Sequence, residues 1–462
     1  MINFLLGLLP TAGSERYRLT QFGALSSTER IIYWAIVLTP LWWLLGAQIL
    51  LFPILGAWLF VVNFDLDKLL KASVPVSIWA WLAMSLAMVL TASMGLYSIG
   101  FPIAIAMAAI VTFLKSYFMI FAAMILPFLQ KIRLRVITRA VVWLSIGYIV
   151  AMAILLGMLF LNLNPPPTPP LTVSLIIPPL ANVIPGRKDA LALILAEFQP
   201  FFGISLPRIA LYTADPPIVG ACAVFSLLIS LGESDRKLKW WAIAGCLIAL
   251  FLCFSRIAWI ALPCTFLIVY CFRKRWLGLS SLWTGAGLGL LAASLGLTII
   301  QMFEQPMELF TEARAESSRD RALVVSRTID AWLEYPWFGW GVIRGSVRWY
   351  IYDISLGSFS TYPAVLYLHG IFGFTIFMAA LGLTLWDLWK SAKLGSITAQ
   401  RAFAAVLVLC LMCNATPLSW MAVYFWYFFI WLGVILNRSC PQDQILSEWE
   451  QLAGCGLSET NG

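Results

Sequence analysis

Long apolar runs, broken at short intervals by basic turns, organise this chain. At roughly 17–25 residues per crossing, they predict twelve membrane spans: 31–46, 48–64, 76–93, 101–129, 138–161, 214–232, 239–254, 257–272, 278–301, 363–386, 401–414 and 416–437. The first pair shares a short connection. The run 101–129 is long enough for two pieces and holds Lys115 in its middle. Several runs are short enough to be tilted or re-entrant.

Two polar stretches interrupt the pattern. The first, 162–213, opens on Asn164-Pro165-Pro166-Pro167-Thr168-Pro169-Pro170, a stiff polyproline-like spacer. The second, 302–362, carries Glu304, Glu308, Glu312, Glu316 and Asp320 at every fourth position. It also carries Arg314, Arg319, Arg321, Arg327, Arg344 and Arg348, and no Lys. An ionised group in hydrocarbon costs about 3 kcal/mol or more, so this stretch reads as a large loop outside the membrane with helices of its own. The expected organisation is a 1–30 cytoplasmic segment, nine spans over 31–301, the 302–362 loop, three spans over 363–437, and a 438–462 cytoplasmic tail. The fold class expected is an all-α polytopic membrane protein. The apolar Met1–Pro10 stretch is too short and lacks the basic start of a signal peptide; it reads as an interfacial helix.

Composition agrees. The 462 residues are 61% hydrophobic and 11% charged, against about 25% charged in soluble domains, and the mean hydropathy is +0.89. Trp (22) and Phe (30) are abundant enough for interfacial aromatic belts. The net charge of +8 is a signature of topology, not of nucleic-acid binding. With the N-terminus placed in the cytoplasm, most of the 30 basic residues fall in cytoplasmic segments, and every short cytoplasmic loop is basic. The positive-inside rule therefore predicts cytoplasmic termini and extracytoplasmic 162–213 and 302–362 loops, in the plasma (inner) membrane. Seven of the 9 Cys lie within or at the ends of apolar runs, and Cys410–Cys413 has no second pair or neighbouring His to complete a metal site. No metal is expected.

The basic residues assigned to the outer side are nearly all Arg, whose planar fork suits phosphate and diphosphate. Most can pair with the loop's own acids. Arg256 differs: it sits in Phe254-Ser255-Arg256-Ile257-Ala258-Trp259, a tight turn between two spans, with no acid nearby in sequence. Its counter-charge is either a lipid headgroup reached by snorkelling or a substrate diphosphate. His369, the one His, reads as a satisfied residue of the bundle.

Phe254-Ser255-Arg256 resembles the Ser-Arg signature of the O-antigen ligase and polymerase superfamily. The segment Arg327-Thr328-Ile329-Asp330-Ala331-Trp332-Leu333-Glu334-Tyr335-Pro336-Trp337-Phe338-Gly339-Trp340-Gly341 is similar to that family's loop motif, an arginine-led helix ending in Pro-x-x-Gly-x-Gly. Gly357-Ser358-Phe359-Ser360-Thr361-Tyr362 and Gly370-Ile371-Phe372-Gly373 resemble the segment that closes the loop, and Pro207-Arg208 the earlier Arg-containing loop. The resemblance implies a C-type glycosyltransferase-like membrane fold. It implies transfer of a polyprenyl-diphosphate-linked glycan to an acceptor hydroxyl on a glycan or lipid, at the extracytoplasmic face, with arginines holding the diphosphate. The donor is already activated, so no cofactor, nucleotide or metal is required. The candidate set is Arg256, Arg327 and Glu334 for catalysis, and Arg208, Arg321 and Arg344 for substrate binding. One departure stands out. Ligases of the family carry a His upstream of the closing glycine, and counting back from Gly370 lands on Phe359. That leaves three alternatives open: a ligase with a carboxylate base such as Glu334 or Asp353, a polymerase relying on arginines, or a non-catalytic membrane partner. A small-solute transporter is the remaining reading, and it would need ionisable residues near the midplane, of which Lys115 is nearly the only one.

Overall fold

The computed structural model describes residues 25–161, 196–201, 204–273, 315–349 and 352–437. The chain is mostly helical. Helix α1 (Ser27–Val37) opens on a reciprocal cap: the Ser26 hydroxyl accepts from the Glu29 N–H, and the Glu29 carboxylate accepts from the Ser26 N–H. The run read as one span, 31–46, is two pieces, because α2 (Thr39–Leu44) follows a break at Leu38. Pro40 has no N–H to offer the Ile36 carbonyl, and the Thr39 hydroxyl donates to that carbonyl instead, at 2.7 Å.

The helices α3 (Gln48–Asn63), α4 (Leu66–Lys71), α5 (Val76–Ser98), α6 (Ile103–Lys115), α7 (Tyr117–Leu129) and α8 (Leu134–Phe160) follow. The 101–129 run breaks at Ser116, whose backbone (φ −108°, ψ −117°) leaves the helical region. After the antiparallel pair β1 (Ala196–Phe201) and β2 (Ile204–Ile209) come α9 (Pro216–Ser230), α10 (Arg236–Leu252) and α11 (Arg256–Arg273). The span expected over 278–301 lies outside the described residues, as do the segment before 25, the polyproline spacer and the tail after 437. Helix α12 (Ala315–Glu334) and the hairpin β3 (Ser346–Trp349) and β4 (Tyr352–Ser355) belong to the polar loop. The two hairpins are the only departures from an all-helical fold among the described residues. The last elements are α13 (Thr361–Lys393), α14 (Ile397–Met412), α15 (Leu418–Met421), a 3₁₀ turn and α16 (Trp426–Leu436).

Among the described residues, five helical stretches are long and apolar enough to cross a membrane: Val76–Ser98, Ile103–Leu129, Leu134–Gly157, Thr361–Lys393 and Leu418–Leu436. Shorter apolar helices include Gln48–Asn63, Pro216–Ser230, Arg256–Phe272 and Ile397–Met412. Helix α16 is the packed axis. Phe428 stacks on Phe225 of α9 at 4.2 Å, and Trp426 on Phe52 of α3 at 5.2 Å. Helix α13 runs along α5 and kinks at Gly370 (φ 62°).

Side-chain contacts sort the connections into two ends. At one end Arg133 pairs with Glu29 and Arg139 with Glu233, each at 2.8 Å, and the Asn437 amide donates to the Pro127 carbonyl at 2.6 Å. At the other, the polar loop meets the α5 C-terminus and the turn between α14 and α15. Lys115 is the exception. It is 5% exposed within a span, and its ammonium lies 4.4 Å from the Trp420 ring centroid. A desolvated cation–π contact returns about 2 kcal/mol against an insertion cost of about 3 kcal/mol.

Glu29 is 3% exposed and accepts from the Arg133 side chain and backbone N–H. Burial works against its charge, but these hydrogen bonds win and hold the carboxyl below its ordinary value of 4.5. Removing one member of a buried pair costs about 3–5 kcal/mol. Arg133 is 38% exposed, so Glu29→Ala is expected at the low edge, about 3 kcal/mol, read as a lower unfolding midpoint in detergent. The folded value is depressed, so this contribution is complete above 4.5 and fades as pH falls through the folded value.

Candidate active site

Three arginines from distant parts of the chain converge at the loop end of the bundle. Arg256 begins α11 after a turn in which Phe254 has φ 45° and Cys253 is buried. The Trp259 indole donates to the Leu250 carbonyl at 2.9 Å, tying α11 back onto α10. Arg208 lies on β2, opposite Glu197 in register, and is 3% exposed. Its segment is pinned to the bundle by Tyr212, whose hydroxyl donates to the Gly147 carbonyl at 2.9 Å and whose ring stacks on Tyr148. Arg321 projects from α12; its Nη1 donates to the Ala415 carbonyl at 2.9 Å, and its guanidinium lies 5.1 Å from the Phe359 ring centroid.

Arg256 is half-buried, and the like charges of Arg321 and Arg208 act on it. Three always-charged guanidiniums within electrostatic reach of one another repel. A dianion such as a diphosphate relieves that repulsion and matches the planar donor forks. Phe359, where the family resemblance places a His, lies against this cluster as a hydrocarbon ring on Arg321.

The other predicted residues lie elsewhere. Val324 and Thr328 bury the inner face of α12, and the Thr328 hydroxyl accepts from the Gly357 N–H at 3.0 Å. Arg327 projects from the exposed face and pairs loosely with Asp330 at 3.8 Å. Exposed pairs of this kind contribute about 0–1 kcal/mol. Arg327, Asp330 and Glu334 line a cleft of about 380 Å³ closed by Ser346, Val347 and Leu356. Glu334 lies about 20 Å further along the α12 axis than Arg321, at 1.5 Å per residue. The structure therefore brings Arg208, Arg256 and Arg321 together and places Arg327 and Glu334 at a separate cleft.

Arg344 faces the polypeptide. Its Nη2 donates to the Gly95 carbonyl at 2.9 Å and to the Ser98 hydroxyl, and its guanidinium lies 4.8 Å from the Trp340 ring centroid. It fastens the loop to the end of α5. The turn at 413–418 was absent from the sequence-level site. Its signal was Asn414 through Pro417, a polar break between two apolar runs. Ser360 and Thr361 donate to the Cys413 and Thr416 carbonyls, and Thr361 accepts from the Leu418 N–H at 2.8 Å, so the turn that receives Arg321 is clamped to the start of α13.

His369 is 2% exposed, shares a 2.7 Å hydrogen bond with Thr91 and meets the Tyr117 ring edge-on. It is a packed residue, as the sequence reading held. Gly341 (φ 69°) lets the loop backbone settle on α5, where a Cβ would land on the Thr91 carbonyl oxygen. A non-glycine residue there faces about 1–2 kcal/mol of left-handed strain and about 1–3 kcal/mol of overpacking. Gly341→Ala is therefore expected to displace the loop and lower thermal stability, read as a lower unfolding midpoint in detergent. His369→Ala is expected to cost about 2 kcal/mol of stability through the lost hydrogen bond and packing.

The comparisons bear on the same region. The sequence model of the family described as O-Antigen ligase matches residues 241–378. The matched stretch holds Arg256, Arg321, Arg327, Glu334 and Arg344, and leaves Arg208 outside. No curated protein matches the chain. Over residues 241–378 the chain is thus similar to the O-antigen ligase family.

Proposed function

We propose that this protein transfers a glycan from a polyprenyl diphosphate to an acceptor hydroxyl at the extracytoplasmic face, in surface polysaccharide biosynthesis. The observation that carries the reading is the convergence of Arg208, Arg256 and Arg321 at one end of a membrane bundle. The basic residues of the opposite loops support an outward orientation for that end.

In the proposed reaction the acceptor oxygen attacks the anomeric carbon of the lipid-linked sugar. The new glycosidic C–O bond forms as the bond between that carbon and the diphosphate oxygen breaks. The acceptor proton goes to a base, and polyprenyl diphosphate leaves. Negative charge grows on the leaving oxygen, and preorganised guanidiniums at that point stabilise the transition state more than the ground state. Arg327 and Glu334, in their cleft beside the hairpin, are assigned to the sugar hydroxyls of donor or acceptor. Phe359 favours a second reading, a polymerase that joins glycan repeats by arginine electrostatics without the ligase histidine.

Arg256→Ala is expected to reduce transfer by about 10²-fold or more, the usual loss of one donor at a developing oxyanion, with normal protein level. Arg256→Lys should recover part of it, keeping the charge without the fork. Unchanged polysaccharide attachment and length in the alanine variant overturns the reading. A deletion strain separates the two activities: unattached chains mark a ligase, short chains a polymerase.

A further inference from the structure

Lys115 lies outside the machinery described so far, at the last position of α6, where the span Ile103–Leu129 breaks. It is 5% exposed, and its one described contact is the face of Trp420. Among the described residues, no charged side chain acts on it. The helices packed against α6 are α3, α5, α7 and α15, and none of the four contains an Asp or Glu. The neighbouring helices thus supply no counter-charge for a lysine held inside the bundle.

The backbone adds a second positive feature. Helix α7 starts at Tyr117 without a side-chain cap. The Ser116 hydroxyl faces the Phe113 carbonyl and the Met88 sulfur, away from the first N–H groups of α7. An uncapped helix start concentrates positive potential, and broken spans use such starts to meet anionic groups at membrane depth. The place is also connected to the arginines. Trp420 belongs to the segment whose Ala415 carbonyl receives Arg321, at most roughly 18 Å of chain away.

We propose that Lys115 and Trp420 form a second anion subsite, inside the bundle and behind the arginine cluster, that takes a phosphate carried on a membrane lipid. Trp420 holds the ammonium in place, and the lipid tail keeps the anion at this depth, where free phosphate would have to shed its water. Binding at Lys115 stands on its own geometry; only identification of the lipid as the polyprenyl carrier rests on the function proposed above.

The test uses the full-length chain in lipid nanodiscs carrying Arg256→Ala, so that binding at the arginine cluster is weakened in every sample. The probe is a short-chain polyprenyl monophosphate, followed by native mass spectrometry, with phosphatidylglycerol and inorganic phosphate as separate competitors. Lys115→Met is expected to weaken probe binding by about ten-fold, the worth of one charge-assisted contact. Lys115→Arg should bind as the parent does, and Trp420→Leu should fall between them. Equal binding by the parent and Lys115→Met overturns the proposal, as does equal loss in the arginine and methionine variants. Competition by phosphatidylglycerol supports a lipid phosphate and removes the preference for the polyprenyl carrier. Competition by inorganic phosphate at matching concentration overturns the lipid requirement. Lys115→Met matches the surrounding helices in polarity; should it fail to fold, Lys115→Gln gives the same comparison. If Arg256→Ala separately leaves glycan transfer intact, the proposed function fails while the binding result at Lys115 stands.

Discussion

Hydrocarbon does not solvate charge, and that constraint sorts this molecule. Among the described residues, the ionised groups other than Lys115 are driven to the two ends of the bundle, and the ends use them differently. At one end, acid meets arginine: Glu29 with Arg133, Glu233 with Arg139. These pairs join α1 to the start of α8, and α8 to the connection after α9, and their work is structural. At the other end, Arg256 is brought within reach of Arg208 and Arg321, like charge against like. Folding alone gains nothing from that repulsion. Like charges gathered in this way make a candidate site for an anion.

Much of the scaffold was legible because the bilayer imposes a length and a composition on each crossing. The run 76–93 became Val76–Ser98, 214–232 became Pro216–Ser230, and 401–414 became Ile397–Met412. What hydropathy could not register was where a run bends. Pro40 splits the first run because a proline leaves the Ile36 carbonyl without its backbone donor, and Thr39 supplies a replacement. The break at Ser116 has no proline at that position, so only the lysine beside it marked the place. Hairpins such as Ser346–Trp349 with Tyr352–Ser355 are too short for alternation to stand out in a polar loop.

The candidate site was legible by residue type and not by grouping. A bias toward Arg on one side of the membrane is visible in composition, but every arginine then looks alike. The structure separates them by what each touches. Arg344 turns to the Gly95 carbonyl and Trp340, holding the loop against α5. Arg321, six residues before Arg327, lies about 120° from it around the helix and nearer the face that Val324 and Thr328 bury, while Arg327 is exposed. Helical phase decides the difference, and phase is set by packing partners remote in sequence. Phe359 is a similar case. Counting identified it as a replaced histidine, while its contact with Arg321 gives the replacement a structural task.

Helix α12 then bears on how the chemistry is divided. It is 20 residues long and α-helical throughout, so it acts as a rigid rod at 1.5 Å per residue. Arg321 near its start and Glu334 at its end remain about 20 Å apart along the axis. A general base must lie within hydrogen-bond reach of the proton it takes. In this arrangement Glu334 cannot take a proton from an oxygen attacking a sugar whose diphosphate sits among the arginines. It can contact a sugar several units along a glycan, because such a chain extends over the same distance. In the proposed reaction, the rod would therefore divide one long substrate between the two ends of the loop, with leaving-group charge at Arg321 and hydroxyl recognition at the Arg327–Glu334 cleft.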